Sequence, residues 1–480
     1  MGKREFISGL FFTAVAKYSS IIISLVVAAV LARLLTPEDF GVIAIATVIL
    51  SFFAIISDLG IATAIVQNKD LTRVDLDNIF SFSIYFGVVI SLLFYLSSSL
   101  ISGFYGEESL VMICRLLSVS LLFSSLNIVP NALLLKAKRF KFIAIRTFSA
   151  QLTLGTIAIV AALNGLGVYS LLITPIGTSI FIFVVNYLQN PLTFNFRVCR
   201  GSIMKISSYS AYQFMSSLVN YFTRNLDNLL IGRYIGVADL GFYDKSYRLM
   251  MLPLANIAHV ITPVLHPTLS DFQHNREFIF NSTLKLLTLL AYIGAALSVF
   301  LHFQAENLIV LIFGEQWTPS IPVFQILAIS VAPQMLNSIL GSIFQSVNDT
   351  RRLFIMGNVN TAINVVAIVA AITLFGDIEH VAIFLAVAFY LNTLFSYTYL
   401  FRTIFSKSEM LLAKRLGTPI LLAAALIPIS HYGVSFFTNP LLSILATAVA
   451  TLVISLLFMQ LSGDIDITGE VKSLITKDRR

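Results

Sequence analysis

The chain has 480 residues, 57% of them hydrophobic and only 11% charged, with a formal net charge of +7 and a mean hydropathy of +0.89. A soluble globular protein carries about 25% charged residues, so this composition excludes one and leaves a polytopic helical membrane protein. The positive balance is assigned to loops on the cytoplasmic side of the membrane, not to a nucleic-acid partner.

Apolar runs long enough to cross a ~30 Å hydrocarbon core recur along the whole chain. Fourteen spans are expected: 10–33, 41–65, 79–101, 110–134, 144–163, 168–188, 207–232, 241–267, 284–303, 321–346, 354–375, 381–401, 417–436 and 441–461. Ala14-Val15-Ala16 imitates a signal-peptidase site, but the apolar stretch continues past it to Leu35, so the start reads as an uncleaved first span. With this assignment the N-terminus, alternate loops and the C-terminal tail hold 24 of the 31 basic residues, Arg146 and Lys285 at span ends being counted with the loops beside them, while the opposite loops hold Arg33 and Arg233 among many acids. That asymmetry places both termini in the cytoplasm.

Span 1 carries a thin polar stripe of Thr13, Lys17, Ser20 and Ser24. Asp58, in SDLGIATAIVQ (57–67), sits at the depth of Lys17 and is expected to pair with it or to hold a coupling proton or cation. In span 7, YSAYQFMSSLVNYFTRNLDNLLIG (209–232), Tyr209, Gln213, Ser216, Asn220, Arg224 and Asp227 recur three or four residues apart, which puts them on one helix face. A charge at mid-helix facing lipid costs about 2.5–3.5 kcal/mol, so the stripe must face protein or water. Arg224 is expected to contact an anion, or else to neutralise Asp227 at i, i+3. Lys245, Tyr247 and Arg248 enter span 8 close together in YDKSYRLM (243–250) and are assigned to the same substrate surface.

Catalytic machinery is not indicated. No Walker A motif occurs, the six histidines show no metal spacing, and no loop is long enough for a catalytic domain. Cys114 and Cys199 have neither CxxC spacing nor a disulfide-rich context. No metal and no cofactor are expected beyond a coupling H⁺ or Na⁺.

Two pairs of segments repeat. ARLLTPEDFG (32–41) is echoed by GRYIGVADLG (232–241), and FYGEESLVMICRLLSVSLLFSSLN (104–127) by FGEQWTPSIPVFQILAISVAPQMLN (313–337). Each of the latter pair leads to a short basic loop, KAKRFKF (136–142) or NDTRRLF (348–354). Spans 1–6 and 7–12 thus read as two parallel copies of one six-span unit, an arrangement in which transporters place the substrate near mid-membrane between the halves.

In the succession ARLLTPEDFGVIAIATVI (32–49), SDLGIATAIVQ (57–67), KAKRFKF (136–142), NLDNLLIGRYIGVADLGFYDKSYRLMMLP (225–253) and LIVLIFGEQWTPSIPVFQILA (308–328), the chain resembles the multidrug/oligosaccharidyl-lipid/polysaccharide exporter superfamily, and within it the Wzx-type flippases of polysaccharide repeat units. The resemblance implies an all-α fold of two six-helix lobes in a V with two peripheral C-terminal helices: an N-lobe over 1–190, a cytoplasmic linker over 191–206, a C-lobe over 207–405, two further spans within 406–462 and a cytoplasmic tail over 463–480. It implies no enzyme but a flippase of the bacterial inner membrane, moving an oligosaccharide linked to undecaprenyl diphosphate by alternating access. Lys17, Arg224, Lys245 and Arg248 would then meet the pyrophosphate. Tyr209, Gln213, Asn220 and Tyr247 would meet the sugars, Asp58 and Asp227 would be candidates for the coupling ion, and the lipid tail would follow a groove by spans 13–14. Implied partners are the lipid-linked oligosaccharide, membrane lipids, and a polysaccharide polymerase with its chain-length machinery. The alternatives are a cation-coupled drug antiporter, a lipid II-type flippase and a non-transporting scaffold for polysaccharide assembly.

Overall fold

A computed structural model describes residues 3–273, 275–408 and 410–463, without the side chains of 3–16, 208, 258–264, 266 and 267. The side chains of Lys3, Arg4 and Thr13, and the tail residues Lys472, Lys477, Arg479 and Arg480, lie outside the described residues. Packing divides the chain into two compact units, Met1–Gly241 and Phe242–Arg480.

The first unit comprises α1 (Lys3–Leu34), α2 (Pro37–Asp58), α3 (Ile61–Gln67), α4 (Arg73–Tyr105), α5 (Ser109–Leu126), α6 (Ile128–Lys136), α7 (Phe140–Leu163), α8 (Ser170–Gln189) and α9 (Arg200–Tyr234). The boundary falls inside α10 (Val237–Ser270). The second unit continues with α11 (Arg276–Phe303), α12 (Ala305–Phe313), α13 (Ser320–Ile329), α14 (Val331–Asn337), α15 (Leu340–Ser346), α16 (Thr350–Leu374), α17 (Ile378–Leu400), α18 (Met410–Phe436) and α19 (Pro440–Ser462). Apolar sequence in a bilayer has no water to satisfy its backbone, so the helix, whose hydrogen bonds close within the segment, is the form it takes.

The helix ends follow local chemistry. Thr36 and Thr72 cap α2 and α4, each accepting the backbone N–H three residues on while Asp39 or Asp75 reaches back to the cap, a reciprocal pairing that satisfies two orphan donors. Asp349, Asp377 and Asn439 cap α16, α17 and α19.

Eleven of the described helices are individually long and apolar enough to cross a membrane, and α13 with α14–α15, bent by 45°, makes a twelfth if counted as one span. The expected fourteen require α9 and α10 in addition. Both are long enough, at 35 and 34 residues, but they are the helices that carry Arg224, Asp227, Asp244, Lys245 and Arg248.

The sequence repeat has a counterpart in local backbone geometry. Lys138 and Asn348, 210 positions apart, both adopt positive φ, 55° and 57°, each two residues ahead of a long helix, at Phe140 and Thr350. Few non-glycine residues adopt this conformation, so its recurrence at one offset marks the same turn in two places. Gly106 and Gly314, at the aromatic-Gly-Glu sites, likewise have positive φ, 76° and 102°. In the first copy the preceding helix is the unbroken α4; in the second it is broken at Gln304 into α11 and α12.

Each unit has its own core. Ile65, Ile79, Phe80, Val129 and Leu192 are buried together in the first. In the second, Leu287, Ile339, Phe344 and Phe401 form one cluster, and Tyr292, Leu422, Leu426 and Met459 tie α18 and α19 to α11.

Candidate functional site

α9 packs on α2, α3 and α4. Its buried positions include Ser202, Ile206, Ser210 and Tyr221, and the Tyr221 hydroxyl donates to the Val48 carbonyl on α2 at 3.1 Å. The expected stripe is therefore divided. Tyr209, Ser216, Asn220 and Arg224 are exposed, turned away from the helices that hold α9. Gln213 is half-buried, its Cβ lying over Gly60 at the α2–α3 turn. Asp227, on the same helical angle, is buried and accepts the N–H of Asn228 at 2.9 Å. The stripe is covered at that end because α2 and α4 close around α9: the Tyr105 hydroxyl donates to the Leu229 carbonyl at 3.4 Å, and Gly232 abuts Ile45.

Among the described residues no ion pair joins Lys17 to Asp58. The expected pairing of Lys17 with Asp58 is not made. Lys17 is exposed on α1, which packs on α7. Asp58 is half-buried at the end of α2 and accepts the N–H of Ala62 at 3.3 Å. What remains on α9 is an exposed guanidinium amid neutral hydrogen-bonding groups, an arrangement suited to an anion carrying hydroxyls.

In the second unit, Lys245 and Arg248 have different surroundings. Lys245 is buried, its ammonium 5.6 Å from the Phe313 ring centroid and 5.9 Å from that of Trp317. Arg248 has a side chain 64% exposed and is paired with Asp244 at 2.7 Å. Tyr247 is half-buried and stacks on Tyr243 at 5.9 Å. The chain's one tryptophan, brought in from the segment after α12, decides this separation. Nothing in the spacing of 245 and 248 reveals it.

A cavity of about 960 Å³ opens in the second unit between α11, α14, α17 and α18. Its wall is mainly apolar, with Ala295, Val299, Leu336, Leu394, Leu416 and Ile420 among the lining residues. The proline at 333 frees the Ile329 carbonyl, and polar residues of the wall engage it and neighbouring carbonyls. The Tyr390 hydroxyl donates to Ile329 O at 3.1 Å, Thr393 to Pro333 O at 3.2 Å, and the His302 ring lies 3.0 Å from Gln325 O. With those groups occupied, the cavity presents hydrocarbon, as a site for an acyl or polyprenyl chain requires.

Residues 30–322 match the family described as polysaccharide biosynthesis protein. The chain belongs to this family. Among its relatives, the teichuronic acid biosynthesis protein TuaB of Bacillus subtilis (strain 168) is 28% identical over 344 residues, 71% of each chain. The lipopolysaccharide biosynthesis protein WzxC of Escherichia coli (strain K12) is 25% identical over 440 residues, 89% of this chain and 87% of that one. Among solved structures, the lipid II flippase MurJ in an inward closed conformation superposes with a TM-score of 0.78 at 14% identity, covering 94% of this chain and 98% of that one. An inward-facing MATE multidrug transporter gives 0.63 at 16%, covering 81% and 95%. At those identities the structural likeness establishes the fold, a MurJ/MATE-like transporter fold.

Two further polar arrangements in this family member were not expected from its sequence. Arg146, counted among loop bases, is buried. It donates to Asn186 and, at 3.3 Å, to Asn131, and Asn186 in turn donates to Asn127 at 2.7 Å. The other is at the base of α4, where Asp75, Asp77, Asn78 and Ser81 are all buried and hold the stretch between α8 and α9. Asp75 accepts from Lys205 at 2.7 Å and from Ser202 at 2.8 Å. Cys199 is exposed beside them, and the N–H groups of Gly201 and Ser202 at the start of α9 hold its thiol below the ordinary pKa. The run of polar residues opening a transmembrane helix was the available signal.

Proposed function

We propose that the chain is a flippase for a lipid-linked polysaccharide repeat unit, an oligosaccharide on a polyprenyl diphosphate such as undecaprenyl diphosphate, moved by alternating access across the bacterial inner membrane. The observation that carries this reading is the likeness to WzxC, which runs through nine-tenths of both chains on a transporter fold. Both termini lie in the cytoplasm by the charge distribution of the loops.

The geometry supplies what such a cargo needs. The exposed Arg224 of α9 and the exposed Arg248 of α10 offer guanidinium forks to phosphate oxygens. Tyr209 and Asn220 offer hydrogen bonds and an aromatic face to sugars, Gln213 is half-accessible on the same helix, Tyr247 is half-accessible on α10, and Lys17 is exposed on α1. The apolar cavity along α18 suits the lipid chain. Asp227, buried on a transmembrane helix, and Asp58 are the candidates for a coupling H⁺ or Na⁺. A polymerase and its chain-length partners would take up the translocated unit.

The test is complementation of a strain lacking this chain. Arg224→Ala should cut surface polysaccharide at least about tenfold, a factor equivalent to 1.4 kcal/mol of lost interaction, while lipid-linked units accumulate on the cytoplasmic face and the protein inserts in normal amount. Undiminished export would overturn the assignment of Arg224.

A further inference from the structure

We infer that residues 191–199, between α8 and α9, form an anchor embedded in the cytoplasmic leaflet, with Phe194 and Phe196 among the acyl chains and Arg197 and Arg200 on the headgroups of anionic phospholipids. The leaflet named rests on the orientation proposed above; the embedding does not.

The segment is not a loop projecting from the membrane, because its hydrogen bonds run down α4. Arg73 donates to the Pro191 carbonyl. One turn on, Asp77 accepts the Thr193 N–H at 2.9 Å and its hydroxyl at 3.0 Å. After another turn, Ser81 accepts the Asn195 N–H at 2.8 Å, and after a third the Tyr85 hydroxyl donates to the Phe196 carbonyl at 3.2 Å. The chain bends at Phe196 and Arg197 and climbs back, so that Asn78 accepts the Cys199 N–H at 3.1 Å and α9 begins.

Twelve helical residues separate Arg73 from Tyr85, roughly 18 Å of descent at 1.5 Å each. Tyr85 is six residues inside the apolar span that opens at 79, about 9 Å beyond its edge. The apex of the segment is therefore at acyl-chain depth, while Cys199 and Arg200 return to the level of Asn78, the edge of that span.

The face of α4 that carries the apex identifies its surroundings. From Tyr85 the exposed positions continue as Val88, Leu92, Leu96 and Leu100, an apolar stripe at helical spacing with one hydroxyl, exposed Ser99, at its far end. An exposed stripe without an ionisable residue borders lipid, not a wet passage. The Phe194 ring packs at a tilt against Tyr85 at 5.5 Å and edge-on against Phe196 at 5.1 Å, and Phe196 is 83% exposed. Thr193 and Asn195 are held to the helix by their N–H groups, while both phenylalanines are exposed. Arg197 and Arg200, exposed, flank the aromatic pair, and such a combination of aromatic rings and basic side chains binds an anionic interface.

The test uses the full chain in a Cys114→Ala, Cys199→Ser background, spin-labelled at Phe196→Cys, Phe194→Cys or Lys138→Cys, in vesicles of phosphatidylethanolamine and phosphatidylglycerol. Labels at 196 and 194 should be relaxed several-fold more by oxygen than by an aqueous nickel chelate, and the label at 138 the reverse. Equal chelate access at all three positions would overturn the embedding. Arg197→Gln with Arg200→Gln should at least halve the phosphatidylglycerol retained on purification; undiminished retention would overturn the headgroup assignment. Labelling of 138 by an impermeant maleimide from the wrong side of oriented vesicles would overturn the orientation alone, since depth is read independently of side.

Discussion

Gly41 and Gly241, the last residues of the two echoed segments, lie against each other's helix in reciprocal fashion. A β-carbon on Gly41 would stand 1.8 Å from the Val237 carbonyl oxygen, and one on Gly241 2.1 Å from that of Pro37 and 3.3 Å from the Gly41 nitrogen. Each glycine thus meets the carbonyl four residues before the other, the close backbone approach that small residues permit in membranes. A duplicated motif packed on its own copy gives this reciprocity.

Gly41→Ala and Gly241→Ala should each force the two backbones apart, at an overpacking cost of about 1–3 kcal/mol. Gly103, in the last turns of α4, has open space where a β-carbon would go; Gly103→Ala should be neutral or stabilise by up to about 1 kcal/mol. Thermal unfolding of the detergent-solubilised variants checks the contrast in sign.

Lys245→Leu and Arg248→Ala should separate stability from transport. The first removes a buried cation held on two rings, worth about 0.5–2 kcal/mol, and should lower the melting temperature. The second breaks an exposed ion pair worth at most about 1 kcal/mol, leaves the melting temperature nearly unchanged, and should depress polysaccharide export. Loss of stability in the Arg248 variant would contradict this division.

Asn186→Ala should strand the buried Arg146 guanidinium, whose Nε already has no hydrogen-bond partner among the described residues. The expected loss is about 1–3 kcal/mol for the unsatisfied groups. Replacing both partners, Arg146→Met with Asn186→Leu, should restore part of it, since an apolar pair carries no desolvation cost. A double-mutant cycle on thermal stability measures the coupling.

Cys199 should be alkylated in the folded protein and Cys114, which is buried, only after unfolding. Because backbone N–H groups stabilise the Cys199 thiolate, its reaction rate should fall, as the pH is lowered, through a midpoint below that of a free thiol. Mass spectrometry of samples quenched across a pH series reads both.

The class of this protein is written in its composition, because a chain with so little charge has no folded form in water, and helices alone satisfy an apolar backbone in lipid. The duplication is legible too: the segments ending at Gly41 and Gly241, and the turns at Lys138 and Asn348, keep enough of their residues to be matched. Periodicity placed Tyr209, Asn220 and Arg224 together on one face of α9.

Periodicity could not say what lies opposite a face. Asp227 shares the helical angle of Tyr209 and is buried because α2 and α4 close over that end of α9. Lys245 is enclosed by Trp317 and Phe313, some 70 positions away. Arg146 reads as a loop base until Asn131 of α6 and Asn186 of α8 converge on it. The polar start of α4 has meaning only once residues 191–199 are folded along it. A sequence fixes the order of side chains along each helix, whereas the burial of any one depends on helices distant in the chain, and only their packing sets it.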